Sequence, residues 1–283
     1  MILVTGAGGK TGRAVIAALA ARGAKARGFV RSDAHADALK ALGAEVAIGT
    51  MDDDAALMRA MDGCTAIYHI CPNMSPHEVT FAEDMIAAAE AAEVPRFVYH
   101  SVLHPQIEAM PHHFAKMRVE EMLFSSEFDF TILQPTAYMQ NILGEWEHMN
   151  SDGIFGVPYP VETPLSLVDL DDVAAVAALV LTEDGHSNAT YELVGTAPLM
   201  QTEVAETFST ALGKPIRAEA ESIKAWQQRA RAMGIDDEQR AALTKMFLSY
   251  ANDGLKGNPN VLRWLLGRAP TTLAKFAARV AGS

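Results

Sequence analysis

Residues 100–116 read "HSVLHPQIEAMPHHFAK", which sets His100, His104, His112 and His113 beside Lys116. Imidazole titrates near neutral pH, so His104, His112 and His113 are candidate proton donors. Loop histidines satisfied by backbone carbonyls are the blander reading. A metal site fits poorly, because no H-E-x-x-H or other ligand spacing is present and the Lys116 ammonium would oppose a cation.

A second group stands at the start of the chain, in "MILVTGAGGKTGRAV". Gly6, Gly9 and Gly12 recur at three-residue intervals after the apolar run that ends at Val4, with Lys10 and Thr11 between the last two. Gly6 suits a tight turn, Gly9 a close approach of backbone N–H groups to a pyrophosphate, and Gly12 close helix packing. The helix that follows adds the positive end of its dipole. A glycine triplet alone describes many turns. Placed between a strand and a helix and followed by five more βα signals, it predicts a dinucleotide site.

The end of the second strand reads cofactor choice, since an acidic residue there accepts from the ribose 2′-OH of NAD. Here it is Arg31, followed by Ser32, and a guanidinium suits the 2′-phosphate of NADP(H). Lys10 offers a second cation, and Asp33 keeps NAD(H) open. Ser101 ends the fifth strand where the nicotinamide is expected, with a turn cap as the alternative. Pro135 to Asn141 follow the sixth strand at the end where open α/β sheets place ligands. Pro135 is therefore a cofactor candidate, and Tyr138, Met139 and Asn141 are substrate candidates. Core packing of Tyr138 and Met139 is the competing reading. Asp169, Asp171 and Asp172 lack the glycine and late glutamate of a calcium loop and read as a helix N-cap, as do Asp52 to Asp54.

The elements that must hold these groups are legible as an alternation of short apolar runs and alanine-rich helices from Met1 to about Leu133. Strands are expected at Ile2–Val4, Ala26–Val30, Glu45–Ile48, 66–70, 96–99 and 130–133, each apolar enough to be covered on both faces. This predicts an α/β fold with a doubly wound parallel sheet in residues 1–134, joined by later segments. From Pro135 to residue 283 the rhythm loosens into Pro and Gly, then a helix at 173–181, a strand at 189–194 and a mostly helical tail broken at "DGLKGNPN". A smaller, mostly helical substrate lobe is expected there.

Composition narrows the function. A net charge of −12 repels nucleic acid, and no basic stripe counters it. The longest apolar run is too short to cross a bilayer, and no signal-like leader precedes Met1, so a cytoplasmic monomer or homodimer is expected. Cys64 and Cys71 form neither a C-x-x-C pair nor a disulfide framework.

The stretches "VPRFVYHSVLHP", "MPHHFAKMRVEEML", "FTILQPTAYMQNI" and "GNPNVLRWLLGRAPTTLAKF" together resemble the NmrA-like family of atypical short-chain dehydrogenases/reductases, over essentially the whole chain. The resemblance implies a Rossmann-type domain, a C-terminal substrate lobe and a preference for NADP(H). It implies no single reaction: some members reduce quinones, azo compounds or dyes, and others are cofactor-sensing regulators. In the wider superfamily a Tyr-x-x-x-Lys pair supplies a proton and holds the nicotinamide ribose. Here the resemblance carries over Lys116 alone, with His112 where the tyrosine would stand. The expectation is an NADPH-dependent reductase of a small conjugated acceptor, with an NADP(H) sensor acting through a protein partner as the alternative and a transient-cofactor isomerase behind both.

Overall fold

The computed structural model describes residues 1–282. Its elements run β1 (Ile2–Val4), α1 (Lys10–Ala21), β2 (Ala26–Val30), α2 (Ala36–Ala41), β3 (Glu45–Ile48), α3 (Asp54–Met61), β4 (Ala66–His69), α4 (Glu78–Ala91), β5 (Arg96–His100), α5 (Pro111–Phe124) and β6 (Asp129–Pro135). Then come β7 (Ala137–Tyr138), α6 (Trp146–Ser151), β8 (Ile154–Val157), β9 (Leu167–Val168), α7 (Leu170–Thr182), β10 (Ala189–Leu193), α8 (Gln201–Leu212), β11 (Arg217–Ala220), α9 (Ile223–Ala232), α10 (Asp237–Asp253), α11 (Asn260–Leu266) and α12 (Leu273–Ala281).

Local chemistry explains the early elements. The three residues of β1 are all buried, as a strand covered on both faces demands. In α1 the buried positions Thr11, Gly12, Val15, Ile16 and Leu19 follow helical spacing, and Gly23 beyond its end takes φ +72. Asp53 caps α3 by accepting from the Ala56 N–H, as expected of that acidic run.

Seven strands form one sheet in the order β10-β6-β5-β4-β1-β2-β3. Its pairings are parallel, and Val4 faces Gly28 of β2 on one side and Tyr68 of β4 on the other. The strand order reverses direction at β1, so the loop after β1 opens at the topological switch point, where doubly wound sheets place ligands. The sequence suggested six strands here. The seventh, β10, lies in the stretch expected to form the later lobe, but Asn188 N–H donates to Phe130 O and Thr136 N–H to Leu193 O, which adds it beside β6. A parallel neighbour some 60 residues away leaves no local trace.

Two compact units result. The first contains residues 1–106, 112–134 and 173–191, with a core of Leu3, Ile67, Met85, Phe97, Tyr99, Val119 and Ile132 among others. The second contains residues 107–111, 135–172 and 192–283, and its core joins Met139, Phe155, Val204, Phe208 and Phe276. No helix among the described residues is long and apolar enough to cross a membrane.

Candidate active site

Gly6 has φ +57, and a Cβ there would come within 2.9 Å of the Ile70 side chain and 3.0 Å of its carbonyl oxygen. Gly12 is tighter still, since its Cβ would lie 2.6 Å from Gly6 O and 2.7 Å from Ala7 Cα. Both glycines are required by packing. Gly9 differs: a Cβ there would meet one atom within 4 Å, Gly6 O, at a tight 3.3 Å, which leaves the rest of the space over the loop clear where α1 begins. That opening fits a pyrophosphate laid against the backbone of Gly9, Lys10 and Thr11 at a helix N-terminus. Gly8, which the sequence reading passed over, accommodates the ring of His35, because a Cβ would sit 2.5 Å from its Cδ2. Arg31 and Ser32 follow β2 and are exposed, free of burial that would withhold them from a phosphate.

Thr5 ties this loop to the neighbouring strand. Its hydroxyl donates to Ile70 O at 3.0 Å and accepts from Ile70 N–H at 2.8 Å. Having spent its only proton, Thr5 Oγ1 can only accept from His69 Nδ1, 3.3 Å away. His69 therefore carries its proton on Nδ1, and its buried Nε2 has no partner.

Lys116 lies on α5 at the end of β5. Its ammonium donates to Glu78 Oε1 at 2.8 Å and to His100 O at 3.2 Å, and it lies 5.3 Å from the centre of the Tyr99 ring. Glu78, on the first turn of α4, is 4 % exposed and also accepts from the Tyr99 hydroxyl at 2.7 Å. Burial pushes the Glu78 carboxyl up, but the Lys116 charge and the two hydrogen bonds outweigh it and leave the group below its ordinary value. Tyr99 is a tyrosine beside the lysine, yet it is fully buried and its proton goes to Glu78. It does not replace the absent tyrosine of the usual pair.

One turn further along α5, Glu120 accepts from the Ser101 hydroxyl and from Gln134 Nε2, at 2.9 and 3.0 Å to its two oxygens. Burial raises its carboxyl, because both partners are neutral. Ser101 is thus a buried donor to Glu120, with its own N–H on Leu133 O at 2.8 Å, rather than a turn cap.

The histidines depart from expectation. Burial, with the Lys116 charge nearby, lowers His112 to about 3 and His113 to about 4. Both are thus held as neutral imidazoles at neutral pH, and a neutral ring N–H is a very weak acid, which weighs against either as the proton donor. His113 Nδ1 faces the His104 carbonyl at 3.4 Å, as a backbone-satisfied histidine does, while His112 Nδ1 is buried without a partner. His104 itself takes the left-handed φ of 55. Among the described residues no three His, Cys, Asp or Glu side chains are grouped to hold a metal ion.

In the second unit, Pro135 is buried at the end of β6, Tyr138 is half-buried in β7 and Asn141 is exposed. Met139 is fully buried in the apolar core beside Ile142, Met149 and Phe155, so its side chain packs rather than meets a ligand. In the acidic run Asp169 Oδ1 accepts from the Asp171 N–H at 3.3 Å, as an N-cap of α7 does, and the run has a second task besides. Asp169 and Asp172 are wholly buried, Asp169 paired with Arg279 at 2.8 Å and Asp172 with Arg268 at 2.6 Å.

A doubly wound sheet, a glycine loop at its switch point and a lysine at the end of β5 define a Rossmann-type α/β protein. The chain belongs to the NmrA-like family, whose pattern it matches over residues 1–276. It is 29% identical over 279 residues to the NAD(P)H azoreductase of Xenophilus azovorans, covering 98% of this chain and 96% of that one. With quinone oxidoreductase 2 of Escherichia coli (strain K12) it shares 28% identity, over 99% and 98% of the two chains. The crystal structure of that NADPH-dependent quinone oxidoreductase complexed with NADPH superposes with a TM-score of 0.87 at 27% identity, covering 99% of each chain.

Proposed function

We propose that this protein is an NADPH-dependent reductase whose acceptor is a small conjugated molecule such as a quinone or an azo compound. Its coarse class is NAD(P)H-dependent oxidoreductase, the class of the full-length relatives. The observation that carries the finer reading is the glycine loop at Gly9, with one atom near a Cβ there, together with an exposed Arg31 after β2: a cradle for a pyrophosphate and a cation for a 2′-phosphate.

In this reading Gly9, Lys10 and Thr11 present backbone to the pyrophosphate, Arg31 and Ser32 meet the 2′-phosphate, and Lys116 orients the nicotinamide ribose. The bound dihydronicotinamide supplies the hydride. The candidate acids His112 and His113 lack a charged ring proton at neutral pH, and the Tyr99 proton is committed to Glu78. A quinone or azo acceptor tolerates that lack, because the anion left by hydride addition is delocalised and takes its proton from water. An unactivated ketone does not. Tyr138 and Asn141 are the residues assigned to the acceptor.

The test is NADPH and NADH oxidation with menadione and with methyl red as acceptors. Turnover that favours NADPH is the expected result. Tight NADPH binding with no oxidation by any quinone or azo dye would overturn the reductase in favour of a cofactor sensor.

A further inference from the structure

Glu78 is a charge that the sequence gives no reason to bury. It stands in "NMSPHEVTF", where it reads as an ordinary acid in the first turn of a helix, and its lysine lies 38 residues away. A carboxylate at 4 % exposure is costly unless it is paired and hydrogen-bonded. Here one oxygen receives both the Lys116 ammonium and the Tyr99 hydroxyl. Tyr99 also lies under Lys116 and stacks on His69, whose ring centre is 5.9 Å away at 18°. His69 in turn is held by Thr5, next to Gly6.

We infer that Glu78 is the positioning residue for Lys116. An ammonium has three N–H donors, and two of them are committed, to Glu78 Oε1 and to the His100 carbonyl at the end of β5. Two fixed bonds set the direction of the third. A lysine on a flexible four-carbon stem does not hold that direction by itself. Glu78 thereby turns a mobile side chain into an oriented donor. It also supplies the counter-charge that keeps an ammonium in place where its side chain is only 16% exposed. In this arrangement Glu78 acts through Lys116.

The inference rests on Lys116 orienting the nicotinamide ribose, and the experiment separates the two ideas. Glu78→Ala, Glu78→Gln, Lys116→Met and the double variant Glu78→Gln/Lys116→Met are compared with the parent protein. Glu78→Gln keeps the shape and an acceptor oxygen, so it serves if Glu78→Ala does not fold. Binding is read with two halves of the cofactor: reduced nicotinamide mononucleotide, which has the nicotinamide ribose, and 2′,5′-ADP, which has only the other end. Hydride transfer to menadione is followed by stopped flow.

Lys116→Met is expected to slow transfer about a hundredfold through misplacement of the reacting atoms, and the Glu78 variants about tenfold or more. All should weaken reduced nicotinamide mononucleotide and leave 2′,5′-ADP unchanged, which a general loss of structure would not do. The double variant should be no slower than Lys116→Met alone, because two residues acting as a unit are not additive. Glu78 variants that match the parent while Lys116→Met is impaired, or effects that multiply in the double variant, would overturn the positioning role. A Lys116→Met protein that behaves like the parent would instead sink the assignment of Lys116 itself.

Discussion

Gly9 and Gly12 stand three residues apart and fail differently when given a side chain. At Gly12 a Cβ collides with backbone at 2.6 Å, and backbone cannot swing aside. Gly12→Val is therefore expected to lose about 1–3 kcal/mol of stability or more through overpacking. At Gly9 the one close atom is Gly6 O at 3.3 Å, a contact relieved by a shift of a few tenths of an ångström, so Gly9→Val should fold with a smaller loss of melting temperature than Gly12→Val yet lose NADPH binding in calorimetric titration. A folded Gly9→Val protein with unchanged affinity would remove the cofactor site from this loop. Arg31→Ala should weaken NADPH about tenfold to a hundredfold, the worth of one charge-assisted partner at roughly 1.5–3 kcal/mol, and leave NADH nearly unchanged. Equal losses for both cofactors would show that Arg31 does not meet the 2′-phosphate. Candidates of this kind can be read from a sequence because turn, dipole and phosphate chemistry are local in it. Glu78 and Glu120 cannot, since each matters through partners on other elements. The neutrality of His112 and His113 is likewise a product of burial, which spacing does not encode.

At the scale of elements, α12 is fastened by the same acidic run that starts α7. Arg279 reaches Asp169 at 2.8 Å, and Asp172 accepts from Arg268 at 2.6 Å and from the Thr271 N–H at 2.6 Å. Both carboxylates are fully buried while both arginine side chains are about half exposed, at 47% and 53%. Removing one partner of a wholly buried pair costs about 3–5 kcal/mol. With water at the arginine side, Arg279→Ala should cost about 1–3 kcal/mol. Thermal unfolding measures the loss, and hydrogen exchange should show α12 opening before the large sheet. If α12 stays as protected as in the parent, the pair is not what fastens it. The sequence placed α7 and read its acids as an N-cap, but a partner about a hundred residues on leaves no periodicity to detect. The same limit explains β10, whose strand character was visible and whose neighbour was not.

Across the whole molecule, burial holds His69, His100, His112 and His113 neutral, and that shapes its response to acid. Burial lowers His69 and His113 to about 4 and His100 and His112 to about 3, from an ordinary 6.5. An unfolded chain takes up these protons as pH falls through 6.5, and the folded one refuses them until about pH 4 or below. Stability from the four neutral rings is thus fully present above pH 6.5 and is lost as pH drops. Glu78, held below its ordinary value, adds a loss in the same direction at lower pH, while Glu120, held above its own, opposes as a single group. Each withheld proton costs about 1.4 kcal/mol per pH unit. Against a typical total of about 5–15 kcal/mol, four such groups acting in the same direction take a sizeable share of the stability. The melting temperature is therefore expected to fall between pH 6.5 and 4.5, and to begin falling well above the pH at which ordinary carboxylates titrate. Calorimetry across that range measures it, with His112→Asn as the control. This ring has an unpartnered buried nitrogen, so its removal should flatten the profile by about one proton and cost little at pH 7.5. A melting temperature that holds level down to pH 4.5 would mean that these rings accept protons in the folded state, and would restore His112 and His113 as candidate acids.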